Sequence, residues 1–297
     1  MSPASHAQRG LSLPELMITM VISLILLAGL GQIFMSGKQS YSTQSGMGAL
    51  QESGRFAMFF LQRDLRRAGF PRSFGPGGSQ PLPPFVSANT TDGGAGGSDQ
   101  IEIQSNSDPD VIAPIGAGNA DPDTSSPADG IADNGTNQDC LGQDVPVAGN
   151  LSAGSGGVGD VANNTVRVRS RYYVDDADGD GVQSLYCLGG GNANPQPVVN
   201  GVESFQALYG EDTDGDTYAN VYRNAGGVTN WDNVVAVRVA LLINTGTAVA
   251  EDDDAQEYAV LDADPITPVN NPATPVNELR FRRRVFTTTI EIRNKSQ

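Results

Sequence analysis

Between Glu15 and Lys38 the chain carries no charged side chain, and that gap constrains the fold more than any other stretch. Apart from Gln32, Leu16 to Gly37 is apolar, small or hydroxylic, about the ~20 residues a helix needs to cross a bilayer. A single carboxylate, Glu15, stands at its head. Placing a carboxylate at membrane depth costs ~2.5–3.5 kcal/mol on insertion scales, so it calls for a partner. Residues 1–10 form a short polar leader whose one firm positive charge is Arg9. An ordinary secretory signal is cut after its apolar core. Here the glycine boundary, Gly10, precedes that core. A cut between Gly10 and Leu11 removes the leader and leaves the membrane helix attached.

Such a cut also removes His6, the only histidine. Without it, Ser–His–Asp and Cys–His nucleophiles and histidine-ligated zinc are unavailable. The expectation is a protein that is not an enzyme.

Charge is strongly segregated. Residues 71–279 hold 30 of the 34 acidic side chains but only 6 of the 18 lysines and arginines. The remaining cations gather before that body (Arg55, Arg63, Arg66, Arg67) and after it (Arg280, Arg282, Arg283, Arg284). An acidic body repels phosphate backbones, so nucleic acid is not an expected partner. The two cysteines, Cys140 and Cys187, are expected to pair if the soluble part is exported to an oxidising compartment; two unpaired thiols are the alternative. No Cys/His spacing supports a zinc site.

Residues 11–36 are read as the membrane helix and 37–70 as its amphipathic continuation, loosened near Gly46 and Gly48 and stopped by Gly69 and Pro71. Leu50, Phe56, Phe59, Phe60, Leu61 and Leu65 are expected to form its apolar face, with Glu52, Arg55, Arg63, Asp64, Arg66 and Arg67 opposite. Asp64 with Arg63 or Arg67 reads as a helix-surface ion pair of ~0.2–0.5 kcal/mol. Residues 71–160, rich in Gly, Pro, Ser, Asn and Asp, read as long acidic loops. Residues 161–297 read as an antiparallel β domain. Thr165–Val174 and Val182–Leu188 make a hairpin, Val234–Ile243 has one apolar face on Val235, Val237, Val239, Leu241 and Ile243, and Arg282–Ile292 closes the chain. The fold class is α+β, with a long N-terminal helix packed on an antiparallel sheet.

Two Asp-rich turns raise the question of a hard cation. Asp176, Asp178 and Asp180 before Gly181 match the first half of an EF-hand loop, but Cys187 stands at the twelfth position. Asp212, Asp214 and Asp216 repeat the spacing, with Thr217 for the glycine and Arg223 for the final glutamate. Neither is an EF-hand. Calcium is the one cofactor the sequence raises, against the alternative that these aspartates only supply turn chemistry.

Gly10, Leu11 and Glu15, in the apolar frame of Leu13, Leu16 and Met17, resemble the class III signal of type IV prepilins and pseudopilins. Leu11 stands where Phe is commoner, and Pro14 where an aliphatic residue is usual. Pro14 is harmless in a helix's first turn, because the carbonyl its missing N–H would have bonded belongs to Gly10, beyond the cut. The run Arg55–Phe70 resembles PilW-type minor pilins, as do Ser184–Cys187, Gln206–Gly210, Val234–Val239 and Arg284–Asn294. The resemblance implies a type IV pilin-like fold, cleavage by a prepilin peptidase and N-methylation of Leu11. It implies a single-pass inner-membrane protein with a periplasmic C-terminal domain that joins other minor pilins and the pilus assembly platform, ending at the filament tip. Glu15 would then pair with the new amine of Leu11 on its own or a neighbouring subunit and serve assembly. A minor pseudopilin of a type II secretion system and a membrane-anchored calcium-dependent adhesion protein are the alternatives.

Overall fold

The computed structural model describes residues 13–69, 83–94, 97–106, 139–143, 158–160, 165–176, 182–190, 194–270 and 276–292. One helix, α1 (Leu13–Arg67), runs without interruption for 55 residues, about 80 Å at ~1.5 Å per residue. It passes straight through Gly46 and Gly48, where a loosening is expected from sequence. Gly46 is a contact point instead: a Cβ there would lie 2.9 Å from Val249 Cγ1. Gln39 and Thr43 both donate to the Val249 carbonyl, at 2.7 and 2.8 Å, so a loop of the globular domain grips the helix on this side. Gly69, with φ of 70°, supplies the left-handed residue that ends the helix, and its N–H bonds the Gln104 carbonyl at 2.9 Å.

The two halves of α1 meet different surroundings. Its second half buries Leu50, Gly54, Ala57, Leu61, Asp64 and Leu65, spaced three or four apart as one face of a helix requires. Phe56 and Phe59, expected on that face, are 47% and 61% exposed. They project from the other side, and the space they would have filled is taken by small residues that let the sheet approach closely. Gly54 is the clearest case: the Phe286 ring occupies the place of its missing Cβ.

Nine strands form two antiparallel sheets among the described residues, where a single sheet is expected from sequence. The first contains β1 (Ile101–Asn106), β2 (Val158–Asp160), β3 (Thr165–Asp175), β4 (Ser184–Gly189) and β5 (Gln196–Asn200). Its order is β1-β3-β4-β5, with β2 on the start of β3. The second contains β6 (Val202–Glu211), β7 (Val221–Arg223), β8 (Val234–Asn244) and β9 (Arg283–Glu291), in the order β7-β6-β8-β9. Gly201 alone links the sheets in sequence. The β3–β4 hairpin and strands β8 and β9 fall where alternation places them. β1 and β2 arise inside the stretch read as loops, and β6 pairs with β8 along nearly its whole length.

One core joins both sheets to α1: Leu50, Leu61 and Leu65 meet Ile101, Tyr172, Leu185, Phe205, Val237, Leu241 and Ile290. Each such large side chain contributes roughly 1.5–3 kcal/mol of burial. Phe85, Tyr209 and Trp231 close one end, with ring centroids 4.9–5.7 Å apart. The expected face of β8 is correct from Val237 to Ile243, but a register shift beside Glu211 changes the parity at its start. There Val234, not Val235, joins the main core.

Candidate functional site

The feature with no explanation inside the fold is the first half of α1. Its most apolar window has a mean hydropathy of 2.3, and none of it is buried. Leu16, Met17, Ile18, Ile22 and Ile25 stand open on different sides of the helix. The hydroxyls in this stretch satisfy themselves: Thr19 donates to the Leu16 carbonyl at 2.9 Å and Ser23 to the Thr19 carbonyl at 2.8 Å. The surface is therefore compatible with lipid or with other apolar helices, and unfavourable in water. Glu15 lies in the first turn of α1, exposed, and has no ion-pair partner among the described residues. Gly10 and Leu11 lie outside the described residues.

The second half of α1 is fixed to the globular domain by a buried charge that the sequence disguises. Asp64 is buried, accepts from the Tyr172 hydroxyl at 2.7 Å and pairs with Arg63 Nε at 2.9 Å. Arg63 also donates to the Cys140 carbonyl at 3.2 Å. Burial first, and the Asp64 carboxylate next, hold the Tyr172 hydroxyl well above its ordinary pKa, so it stays a donor. The surface ion pair expected for Asp64 is corrected to a buried link between α1 and β3. Its position was readable: Asp64 follows Leu61 by three on the Leu50–Ala57–Leu61 stripe.

Three further buried acids organise the domain. Glu102 on β1 is paired with Arg171 on β3, and Arg171 Nε donates at 2.8 Å. Glu211 accepts from Thr229 N–H, Thr229 Oγ1 and Asn230 N–H at 2.7–2.9 Å, with Arg223 Nε 3.0 Å away. Burial opposes its charge, but these bonds prevail and hold the Glu211 carboxyl below the usual range. Arg283, buried on β9, meets Glu203 at 2.8 Å and Asp254 at 3.4 Å, and Asp254 also accepts from Tyr258 at 2.8 Å. Part of the acidic run Glu251–Asp254 is thus an internal anchor.

Cys140 and Cys187 form a disulfide, with Cα atoms 6.5 Å apart. It ties residues 139–143 to β4 beside the end of α1. Of the first Asp-rich turn, Asp176 is described, while Asp178 and Asp180 lie outside the described residues. In the second, Asp212, Asp214 and Asp216 each place an oxygen within 4.8 Å of the others'. Asp212 accepts from Gly215 N–H and Thr217 N–H at 2.6 and 2.8 Å, and Asp216 from Tyr218 N–H at 2.8 Å. The Gly215 bond, chiefly, depresses the Asp212 pKa.

A long helix with a bare apolar half, carrying an antiparallel globular domain on its other half, defines a membrane-anchored pilin-like subunit. Comparison with known proteins narrows the class. Residues 5–31 match the family model for the Prokaryotic N-terminal methylation motif, and residues 171–294 match that for Type IV Pilus-assembly protein W. The two matches support a type IV pilus minor pilin of PilW type, taking part in pilus assembly. Among solved structures, a type IV-like pilin from Thermus thermophilus is similar at 13% identity and a TM-score of 0.38, covering 84% of this chain and 97% of its own. No curated protein matches the sequence.

Proposed function

We propose that the chain is a non-enzymatic structural subunit held in the inner membrane by α1, with its globular domain in the periplasm. Cleavage between Gly10 and Leu11 by a prepilin peptidase and methylation of the new N-terminus prepare it for incorporation. It then joins other minor pilins and the assembly platform to prime the filament, and stays at the tip. The observation that carries this reading is the bare apolar half of α1, with Glu15 exposed at its head and without an ion-pair partner among the described residues. A new amine at Leu11, on its own or a neighbouring subunit, would offset the cost of placing that carboxylate among apolar helices. The match of residues 171–294 favours a pilus over a secretion-system pseudopilin.

The test is the mass of the mature N-terminus together with a Glu15→Gln variant. The expected protein starts at methylated Leu11, and the variant inserts in the membrane yet fails to restore piliation to a deletion strain. A mature chain still starting at Met1, or full piliation by the variant, would sink the reading. Calcium has a subordinate place in the proposal, at the turn where Asp212, Asp214 and Asp216 converge. Calorimetric titration with no calcium heat, and a melting temperature unmoved by chelator, would remove it.

A further inference from the structure

The face of α1 turned away from the globular domain carries a second feature. Glu52, Arg55, Phe56, Phe59, Arg63 and Arg66 recur at spacings of three and four on the side opposite Gly54, Ala57 and Leu61. Phe56 and Phe59 are largely open, as are Arg55 and Arg66. The rings are not splayed at random: Phe56 and Phe59 both pack on Phe60, with centroids 4.5 and 6.1 Å away, and the Arg63 guanidinium sits 4.9 Å over the Phe60 ring. Arg63 apart, which also holds Asp64 and the Cys140 carbonyl, the patch makes no side-chain polar contact with the rest of the described fold.

The membrane is out of reach. At about 1.5 Å per residue, Phe59 stands ~30 Å along the helix beyond Lys38, which marks the end of the apolar run. We propose that this face docks an acidic surface of an adjoining pilin subunit. Charge complementarity argues for that occupant. Exposed arginines beside open aromatic rings fit carboxylates set among apolar groups, and rings of this kind act as interface anchors once desolvated. A second copy of this chain offers such a surface, where Glu251, Asp252, Asp253, Glu257, Asp262 and Asp264 are all exposed. The patch and the chain's own acidic domain lie on opposite sides of one helix. A contact between them on two subunits is therefore heterologous, and it propagates instead of closing as a two-fold dimer. The inference rests on the filament-subunit reading for the kind of neighbour, and on the patch alone for where that neighbour sits.

The experiment places a photo-cross-linking phenylalanine analogue at Phe59 of the full chain, in cells that make the pilus. The expected product joins this chain to a protein bearing the N-terminal methylation motif, through a peptide with an excess of Asp and Glu. The Arg55→Glu, Arg66→Glu double variant lowers its yield about tenfold. Disulfide formation in the same samples shows that the variant folds. The N-terminal mass reports leader processing, so loss of the product with normal processing counts against this surface and not against the filament reading. No product, a lipid adduct, a partner without the motif, a linked peptide without acidic excess, or a yield unchanged by the double variant would each overturn the proposal.

Discussion

Replacing Tyr172 with Phe tests whether the buried carboxylate of Asp64 fastens α1 to the sheet. The substitution removes one hydroxyl and leaves the ring in place, so the packing of a fully buried side chain is kept. Among the described residues Asp64 then keeps only Arg63, whose side chain is 35% exposed and shares its bonds with the Cys140 carbonyl. A hydrogen bond to a charged, buried acceptor is worth about 1.5–3 kcal/mol, and the upper part of that range applies where water cannot replace the donor. Asp64 is 6% exposed, so about 2 kcal/mol is expected. For a domain of this size that lowers the melting temperature by roughly 4–8 °C. Thermal unfolding of the full chain in detergent, followed by the near-ultraviolet signal of the aromatic core, gives the single-variant value. Asp64→Asn and the double variant complete a cycle, whose coupling should exceed about 1 kcal/mol. A Tyr172→Phe loss under about 0.5 kcal/mol, or a coupling near zero, would show that the helix is held by its apolar stripe alone.

Gly54→Ala sets helix propensity against packing: alanine gains ~1 kcal/mol in a helix, but its Cβ falls on the Phe286 ring, and overpacking costs about 1–3 kcal/mol. Net destabilisation in denaturant unfolding, relieved by Phe286→Leu, is expected. Reducing the Cys140–Cys187 bridge, which spans a sequence separation of 47, should cost ~4 kcal/mol on the chain-entropy estimate, seen as a lower melting temperature in dithiothreitol. Asp99 accepts from Gly93 and Ala207 N–H groups at 2.9 and 2.7 Å, and burial pushes its pKa up to about 6. A carboxyl that holds its proton more tightly when folded stabilises at low pH and loses that contribution as pH rises through the folded pKa. Stability measured from pH 4 to 7 should therefore fall more steeply in the wild type than in Asp99→Asn.

What the sequence revealed was whatever a local pattern can carry. The charge-free run after Glu15 and the alternation in β3, β8 and β9 each report a one-sided or apolar environment directly. β6 hid because both its faces are covered: Val202–Glu211 is buried at eight of ten positions and mixes Phe, Leu and Tyr with Ser, Gln and Glu, so no alternation survives. β1 hid because Glu102 and Gln104 are buried polar residues, whose partners Arg171 and, for the Gln104 Nε2 donor, the Pro83 carbonyl lie far along the chain. The helix face was misjudged because Phe59 and Leu61 are equally apolar on any scale. Which one the sheet takes depends on the room left at Gly54 and Ala57. Asp64 was misjudged for the converse reason, since its partner Tyr172 is remote in sequence.

The grip of Gln39 and Thr43 on the Val249 carbonyl has a mechanical consequence. Along α1 the backbone hydrogen bonds lie parallel to the axis, so tension on a subunit strains them in series. Above Gln39 that tension is divided between the helix and the sheets packed beside it. Below Gln39 it passes into the bare rod alone. The transition falls a single residue past Lys38, where the apolar stretch ends, so the segment that takes the full pull is the bare apolar one.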